Sequence, residues 1–423
     1  MRHFSSLLLA AAITLALAWP SGGRAEDFQG ADHPLEYDEA PIRYSATEPA
    51  DPVSLLAKRI AAGEVKLAWD EEFGWLPGLL EALHVPRSSQ MLVFSKTSLQ
   101  RKLISPDNPR ALFFNDNVYI GYVPGAPLME LSAVDPKLGG VFYTLEQEKV
   151  RKPKITRSSD CLQCHGGQRS LGVPGHFVRS VPTDPTGELN VLDEVRDIDQ
   201  STPIADRWAG WYVTGTGPAH RGNLVGEKDF THAREEPLFK PTPATLEGFF
   251  DTKKHLAPRS DIGALMVLEH QGHMHNYIAR LSLEARQMLA AYGHVRYMRP
   301  QVDAFLRYLL FTEEAPLPAP IAGQPEFARD FAAAGPRDRQ GRSLRDLDLR
   351  TRMFKYPCSF LIYSPSFDAM PDEIRTVILQ KLHEILTGKN TEEQFAKITP
   401  ADRSAILGIL RETKPSLPAY WRE

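Results

Sequence analysis

The segment DCLQCHGG, Asp160–Gly167, constrains this chain more than any other feature, because two cysteines two residues apart with a histidine directly behind them serve very few chemistries. In covalent haem attachment the two thiols form thioethers to the vinyl groups on one edge of the macrocycle. The adjacent histidine then reaches the iron as its proximal axial ligand. Cys161, Cys164 and His165 match that pattern in full. A structural zinc site would want a second pair of ligands, and the remaining cysteine, Cys358, is single and distant. A thioredoxin-like dithiol would open a helix after a strand, and Gly166-Gly167 is a poor helix start. The spacing therefore points to one covalent haem c, with Cys161, Cys164 and His165 as its binding residues and His165 as the iron ligand.

The compartment expected from the N-terminus agrees, since haem attachment of this kind takes place outside the cytoplasm. Arg2 and His3 precede an apolar run, Leu7–Ala18, and Gly23-Arg24-Ala25 has the small-x-small form of a signal-peptidase site. That run is too short for a spanning helix, which needs roughly 20 residues, and no later segment is long enough. Residues 1–25 therefore read as a cleaved leader, with a mature chain from Glu26 in a bacterial periplasm. Without the two arginines of the leader, 49 basic residues become 47 against 53 acidic ones. This acidic balance offers no footprint for nucleic acid. Three cysteines in 423 residues also exclude a disulfide-stapled scaffold.

From Asp27 to about Asp51 the chain lacks periodicity and reads as an extended arm, followed by a short helix over Val53–Ala62. Four short β-branched and aromatic runs then predict strands: Met91–Ser95, Ala111–Phe114, Val118–Val123 and Val141–Leu145. Asn115-Asp116-Asn117 looks like the turn between two of them. The haem motif comes next, among the strand-like pieces HFVRSV and WAGWYVTG. After Pro241 the pattern turns helical. Ser260-Asp261 is a plausible N-cap before a long run toward Gly293; Pro371–Leu386, Thr391–Ile398 and Ala401–Thr413 predict further helices. The expected class is α+β, with a β-rich haem-binding region over 26–240 and a mainly helical region over 241–423 that packs on it and closes over the other haem face.

A cytochrome with two axial ligands needs a thioether or imidazole opposite its proximal histidine. Steps of three and four from Ile262 place Leu265, Met266, His270, His273, Met274, Tyr277, Ile278 and Leu281 on one helical stripe. Met274 is the first candidate for the sixth ligand and His270 the second. His275 on the neighbouring stripe, His176 in VPGHFVRSV and His220 in GPAHRGN are further candidates. Each of these residues alone is more ordinarily core packing. Glu269 with His270 and His273 could help bind a separate metal, but no second helix of matching Glu and His accompanies them. Haem propionates are commonly met by Arg, Trp or Tyr, for which Arg179, Arg207, Trp208, Trp211 and Tyr212 have suitable chemistry. Cys358, between prolines and an apolar run, reads as a buried small hydrophobe.

Seven segments together carry a resemblance: SSQMLVFSKTS (Ser88–Ser98), RALFFNDNVYIGYV (Arg110–Val123), CLQCH, GVPGHFVRSV (Gly172–Val181), RWAGWYVTG (Arg207–Gly215), ALMVLEHQGHMHN (Ala264–Asn276) and KYPCSFLIYSPSFDAMP (Lys355–Pro371). Over nearly all of the mature chain the sequence resembles a family of large exported bacterial cytochrome c domain proteins with a single c-type haem motif. The resemblance implies haem and electron-transfer chemistry without naming a substrate. Family members tend to read WYVTGTHG where this chain has WYVTGTGP, so Gly217 stands where a histidine is expected, with His220 a few residues on. The expected function is a periplasmic mono-haem c-type cytochrome passing single electrons to or from a redox partner. The alternative is a haem enzyme or small-gas sensor with an open or displaceable sixth position.

Overall fold

The β-branched and aromatic runs of the first half pair into one seven-stranded antiparallel sheet of order β6-β5-β4-β3-β2-β1-β9. Its strands are β1 (Met91–Val93), β2 (Arg110–Phe114), β3 (Val118–Tyr122), β4 (Leu128–Asp135), β5 (Gly139–Glu146), β6 (Ile155–Arg157) and β9 (Trp211–Tyr212). This computed structural model describes residues 35–190, 194–226 and 239–422. The expected leader and its cleavage site lie outside the described residues. A separate two-stranded ribbon joins β7 (Val178–Ser180) to β8 (Arg196–Ile198).

The hairpin expected at Asn115-Asp116-Asn117 is present. Asn115 Oδ1 accepts from the amides of Asn117 at 3.0 Å and Val118 at 2.9 Å, an Asx turn that holds the corner between β2 and β3. Strand β4 has no counterpart among the expected strands, because Glu130 and Asp135 interrupt its apolar pattern. The interruption is tolerated because Arg110 on β2 pairs with Glu130 at 2.6 Å. Phe114 opposes Tyr119, Tyr119 opposes Ser132 and Ser132 opposes Phe142, so these four side chains share one face of the sheet.

Over residues 35–51 the N-terminal arm is not extended as expected but folds through successive turns and packs on the back of the motif, while residues 27–34 of the expected arm lie outside the described residues. Leu35 donates its amide to the Gly172 carbonyl at 2.9 Å, and the Tyr44 hydroxyl donates to the Gly140 carbonyl at 2.7 Å. Helix α1 (Pro52–Ala62) comes next, capped by Asp51, and then α2 (Leu76–Ala82).

The long helix runs as α4 (Ile262–Tyr292), with Asp261 Oδ1 accepting from the Ala264 amide at 2.8 Å and Gly293 ending it at φ 70°. Its expected one-sided stripe is a correction. Nearly every residue from Ile262 to Ala285 is buried, Glu269, Gln271, His275, Asn276, Arg280 and Glu284 included, while His273 from the apolar stripe is the partly exposed one. The reason is position. Helix α4 packs against β5 and β7 on one side and against α5 (Arg299–Leu309), α6 (Pro325–Ala333), α7 (Pro365–Asp368) and α8 (Asp372–Leu386) on others, so hydrogen-bond partners rather than a water face decide where polar residues stand. Helix α9 (Pro400–Thr413) forms as expected, whereas Thr391–Ile398 makes only a 3-10 turn at Glu393–Phe395. The α+β class is thus present, a sheet-rich first half and a helical second half. One apolar cluster joins them, running from Met91, Phe114 and Trp208 to Met274, Phe305, Phe360 and Trp421. Among the described residues no helix is long and apolar enough to cross a membrane.

Candidate haem-attachment site

The CLQCH segment forms a single helical turn, α3 (Leu162–His165), closed by the Gly166 amide on the Leu162 carbonyl at 2.9 Å. The turn stops at Gly166, so the motif opens no longer helix, in keeping with the two glycines being a poor helix start. A side chain at Gly166 would collide with the Tyr37 hydroxyl of the N-terminal arm. Cys161 and Cys164 are free thiols, the first half-buried and the second exposed. Burial pushes the Cys161 thiol up, the opposite of what an activated redox dithiol requires. Cys358 is fully buried and its thiol is pushed far up by burial, in keeping with a packing role.

His165 is held from three sides. Its ring stacks on Phe177 with centroids 4.6 Å apart and tilts against Phe142 of β5 at 4.9 Å. Its Nδ1 lies 2.9 Å from the Gly175 carbonyl, which can only accept, so Nδ1 carries the proton and Nε2 keeps its lone pair. Nε2 has no hydrogen-bond partner among the described residues. Burial brings the imidazole down to about 4 against the opposing hydrogen bond to Gly175, so it is neutral near pH 7. A neutral imidazole whose second nitrogen donates to a backbone carbonyl is the state in which histidine binds a metal.

The loop behind His165 is fixed to both the sheet and α4. Gly140 of β5 donates to the Pro174 carbonyl at 2.7 Å, and Asn276 of α4 clamps His176, accepting from its amide at 2.9 Å and donating to its carbonyl at 2.6 Å. His176 lies on the Tyr119, Ser132 and Phe142 face, with its Nε2 2.9 Å from Ser132 Oγ and its ring 4.3 Å from that of Tyr119. Gly175 and Gly140 make this approach possible. An added Cβ at Gly140 would meet the Gly175 backbone at 3.1 Å, and one at Gly175 would overlap Asn276 Oδ1.

These contacts place α4 on the Nδ1 side of His165, behind the ring, while Nε2 points the other way. His270 has both nitrogens engaged, Nδ1 with Gln200 at 2.5 Å and Nε2 with Ser359 at 2.7 Å. His275 Nε2 donates to the Asp116 carbonyl at 2.7 Å. His220 accepts from the Gly222 amide at 2.9 Å and donates to Thr242 Oγ1 at 2.8 Å. Met274 is fully buried in the large apolar cluster. Glu269 forms a buried ion pair with Arg207 at 2.7 Å and also accepts from the Trp208 indole. Among the described residues no three His, Cys, Asp or Glu side chains converge to hold a bare metal ion.

Of the residues expected at the propionates, Arg207 and Trp208 are thus taken by Glu269, Trp211 donates to the Arg179 carbonyl at 2.8 Å, and Tyr212 donates to the Pro106 carbonyl at 2.9 Å. Among the described residues Arg179 is the one of this set whose guanidinium is free and close to the motif. It feels both Cys164 and His165, lies over the Phe177 ring at 5.8 Å, and has lost its cross-strand neighbour Asp197 to Arg169, which binds both carboxylate oxygens at 2.9 and 3.1 Å. No spacing rule marks Phe142, Phe177, Gly175 or Asn276 as site residues. The one sequence signal was the glycine pattern GVPGHF beside a strand.

The bonding of His220 carries a pH prediction. Burial brings this imidazole down to about 4, and a proton on Nδ1 would face the Gly222 N–H. Its unfolded value is about 6.5, so the unfolded chain takes the proton first. The stabilisation is present above pH 6.5 and is lost as pH falls toward 4, about 2 kcal/mol of it by pH 5. Urea denaturation at pH 7 and pH 5 should show a smaller acid loss in His220→Gln than in the parent. Equal losses would assign the acid sensitivity to other groups.

The two thiols, the neutral unpartnered imidazole nitrogen, the aromatic walls and the Arg179 guanidinium suit a covalently bound haem. No family model, no curated protein and no solved structure matches this chain.

Proposed function

We propose that this chain is a periplasmic mono-haem c-type redox protein, with haem bound covalently through Cys161 and Cys164 and its iron held by His165. The observation that carries the reading is the state of His165: Nδ1 donated to Gly175, Nε2 without a hydrogen-bond partner among the described residues, the ring fixed between Phe142 and Phe177. When bound, the group supplies reversible single-electron chemistry. The residues of this chain orient the imidazole, cover one ring edge with aromatic carbon and offer the Arg179 guanidinium to a carboxylate. Exposed Cys164 puts the attachment edge near solvent, where a partner protein or a small donor or acceptor can reach it.

A second reading, an open or displaceable sixth position suited to peroxide or small-gas chemistry, has its own support. Met274 and the histidines of α4 stand on a helix behind the proximal ring, and His270, His220 and His275 already hold hydrogen bonds.

The test is haem staining on a denaturing gel after co-production with attachment machinery, followed by absorption spectra in oxidised, reduced and reduced-plus-carbon-monoxide forms. A stained band is expected for the parent and none for the Cys161→Ser, Cys164→Ser double variant. A reduced spectrum indifferent to carbon monoxide means two protein ligands and an electron carrier. A shift with carbon monoxide selects the open position. An unstained parent overturns both readings.

A further inference from the structure

The last two turns of α4 leave the core. Burial stops at Ala285, yet the helix continues to Tyr292, a projection of about 10 Å at the helical rise per residue. Gly293 ends it at φ 70°, a 3-10 turn follows over Arg296–Met298, and α5 starts at Arg299. The corner is pinned from inside by Met298, which is buried, and by Val295, which packs on the large apolar cluster. On its outer side stand Tyr292, His294 and Tyr297. The two tyrosines are 60% and 66% exposed. All three rings pack on one another, with centroids 6.3, 5.9 and 5.3 Å apart. A lone exposed aromatic residue is ordinary, but a ring cluster assembled at a protruding corner marks a contact surface.

The charge on this corner is of one sign. Residues 285–302 contain Arg286, Arg296 and Arg299 and no Asp or Glu. The flanking acids are already neutralised, Glu284 by Arg280 at 3.0 Å and Asp303 by Lys381 at 2.7 Å. Arg286 is spent on the Lys137 carbonyl and the Ser282 hydroxyl. Arg296 and Arg299 are exposed, and neither guanidinium has a hydrogen-bond or ion-pair partner among the described residues. Glu36 of the N-terminal arm lies on the packed side, its carbonyl accepting from Gln287 at 3.3 Å, more than a turn before Tyr292.

We propose that this corner docks on an anionic phospholipid surface, with the Tyr292 and Tyr297 rings at headgroup level and Arg296 and Arg299 on the lipid phosphates. Tyrosine joins an apolar ring to a polar tip, the pattern that settles at a membrane–water boundary, and the guanidinium fork matches a phosphate. A second copy of this chain is a poorer occupant, because a two-fold pairing over so small a corner would set like-charged arginines together. The contact is peripheral: among the described residues no helix is long and apolar enough to cross a membrane. The corner shares no residue with the CLQCH turn and is independent of the haem reading.

Co-sedimentation of the purified full chain with sucrose-loaded vesicles tests this, comparing phosphatidylglycerol and phosphatidylcholine in equal parts with phosphatidylcholine alone. Binding to the anionic vesicles is expected, with little to the neutral ones, and high salt should release it. The double variants Arg296→Gln, Arg299→Gln and Tyr292→Ser, Tyr297→Ser should each weaken it by about tenfold. Their thermal midpoints should match that of the parent, because these side chains are exposed. Lys253→Gln, which removes an exposed cation from the loop before α4, should leave binding intact. No binding to the anionic vesicles would overturn the proposal and turn the corner to an acidic protein partner. Equal binding to both lipid compositions, full affinity in both double variants, an equal loss in Lys253→Gln, or a dimer abolished by the tyrosine pair would also overturn it.

Discussion

Truncating Arg207 to alanine is expected to lower the unfolding free energy by about 3–5 kcal/mol. The guanidinium is almost wholly buried and spends its hydrogen bonds on three groups: Glu269 on α4 through Nη1 at 2.7 Å, the Thr202 carbonyl through Nε at 2.8 Å and the Gln200 carbonyl through Nη2 at 3.2 Å. It therefore closes the 200–207 loop onto the central helix. Removing it strands the Glu269 carboxyl, which burial already pushes up to about 7 against the pull of Arg207 and Trp208. It also removes the donor to the buried Gln200 carbonyl and to the half-buried Thr202 carbonyl. Urea denaturation measures the loss. The double variant Arg207→Met, Glu269→Leu should recover much of it, because apolar groups of similar volume need no partner. A single-variant loss below about 1 kcal/mol, the range of an exposed pair, would show that water reaches the pair and that the loop is not held this way.

Gly175→Ala is the second large effect, and it acts on the site itself. The new Cβ would overlap Asn276 Oδ1 and stand 3.1 Å from the Ser170 Cβ, so either α4 or the loop must move. Overpacking and the weakened Asn276 clamp together are expected to destabilise by about 2–4 kcal/mol. The Gly175 carbonyl is also the acceptor that orients His165, so its displacement should perturb the haem spectrum of the attached form even where the protein remains folded. Ser88→Ala serves as a comparison, since its hydroxyl bonds only to the part-exposed Asp330 and should change neither readout. An unaltered melting midpoint and spectrum in Gly175→Ala would mean that the loop has slack and that the glycine is incidental.

Much of the architecture was legible from local rules. The strands at 91, 111, 118 and 141, the Asx turn between β2 and β3, the Asp261 cap and the Gly293 stop all arise from residue types at fixed offsets, because they depend on neighbours within a few positions. Strand β4 was hidden by two acidic residues whose neutralising contacts lie elsewhere in the fold. The all-round burial of α4 was hidden because its polar residues find partners on loops far along the chain, as His270 does with Ser359 at 89 positions' separation.

At the candidate site the division runs along the same line. Residues 160–167 by themselves determined which covalent chemistry is open to this chain, since thiol and imidazole spacing is a local property. The tertiary structure alone decided which His165 nitrogen is free, that α4 stands behind the ring, and that Arg179 is the cation left for a ligand carboxylate. Each of those depends on a partner brought close only when the sheet, the CLQCH loop and the central helix pack together, and no periodicity in the sequence records such a meeting.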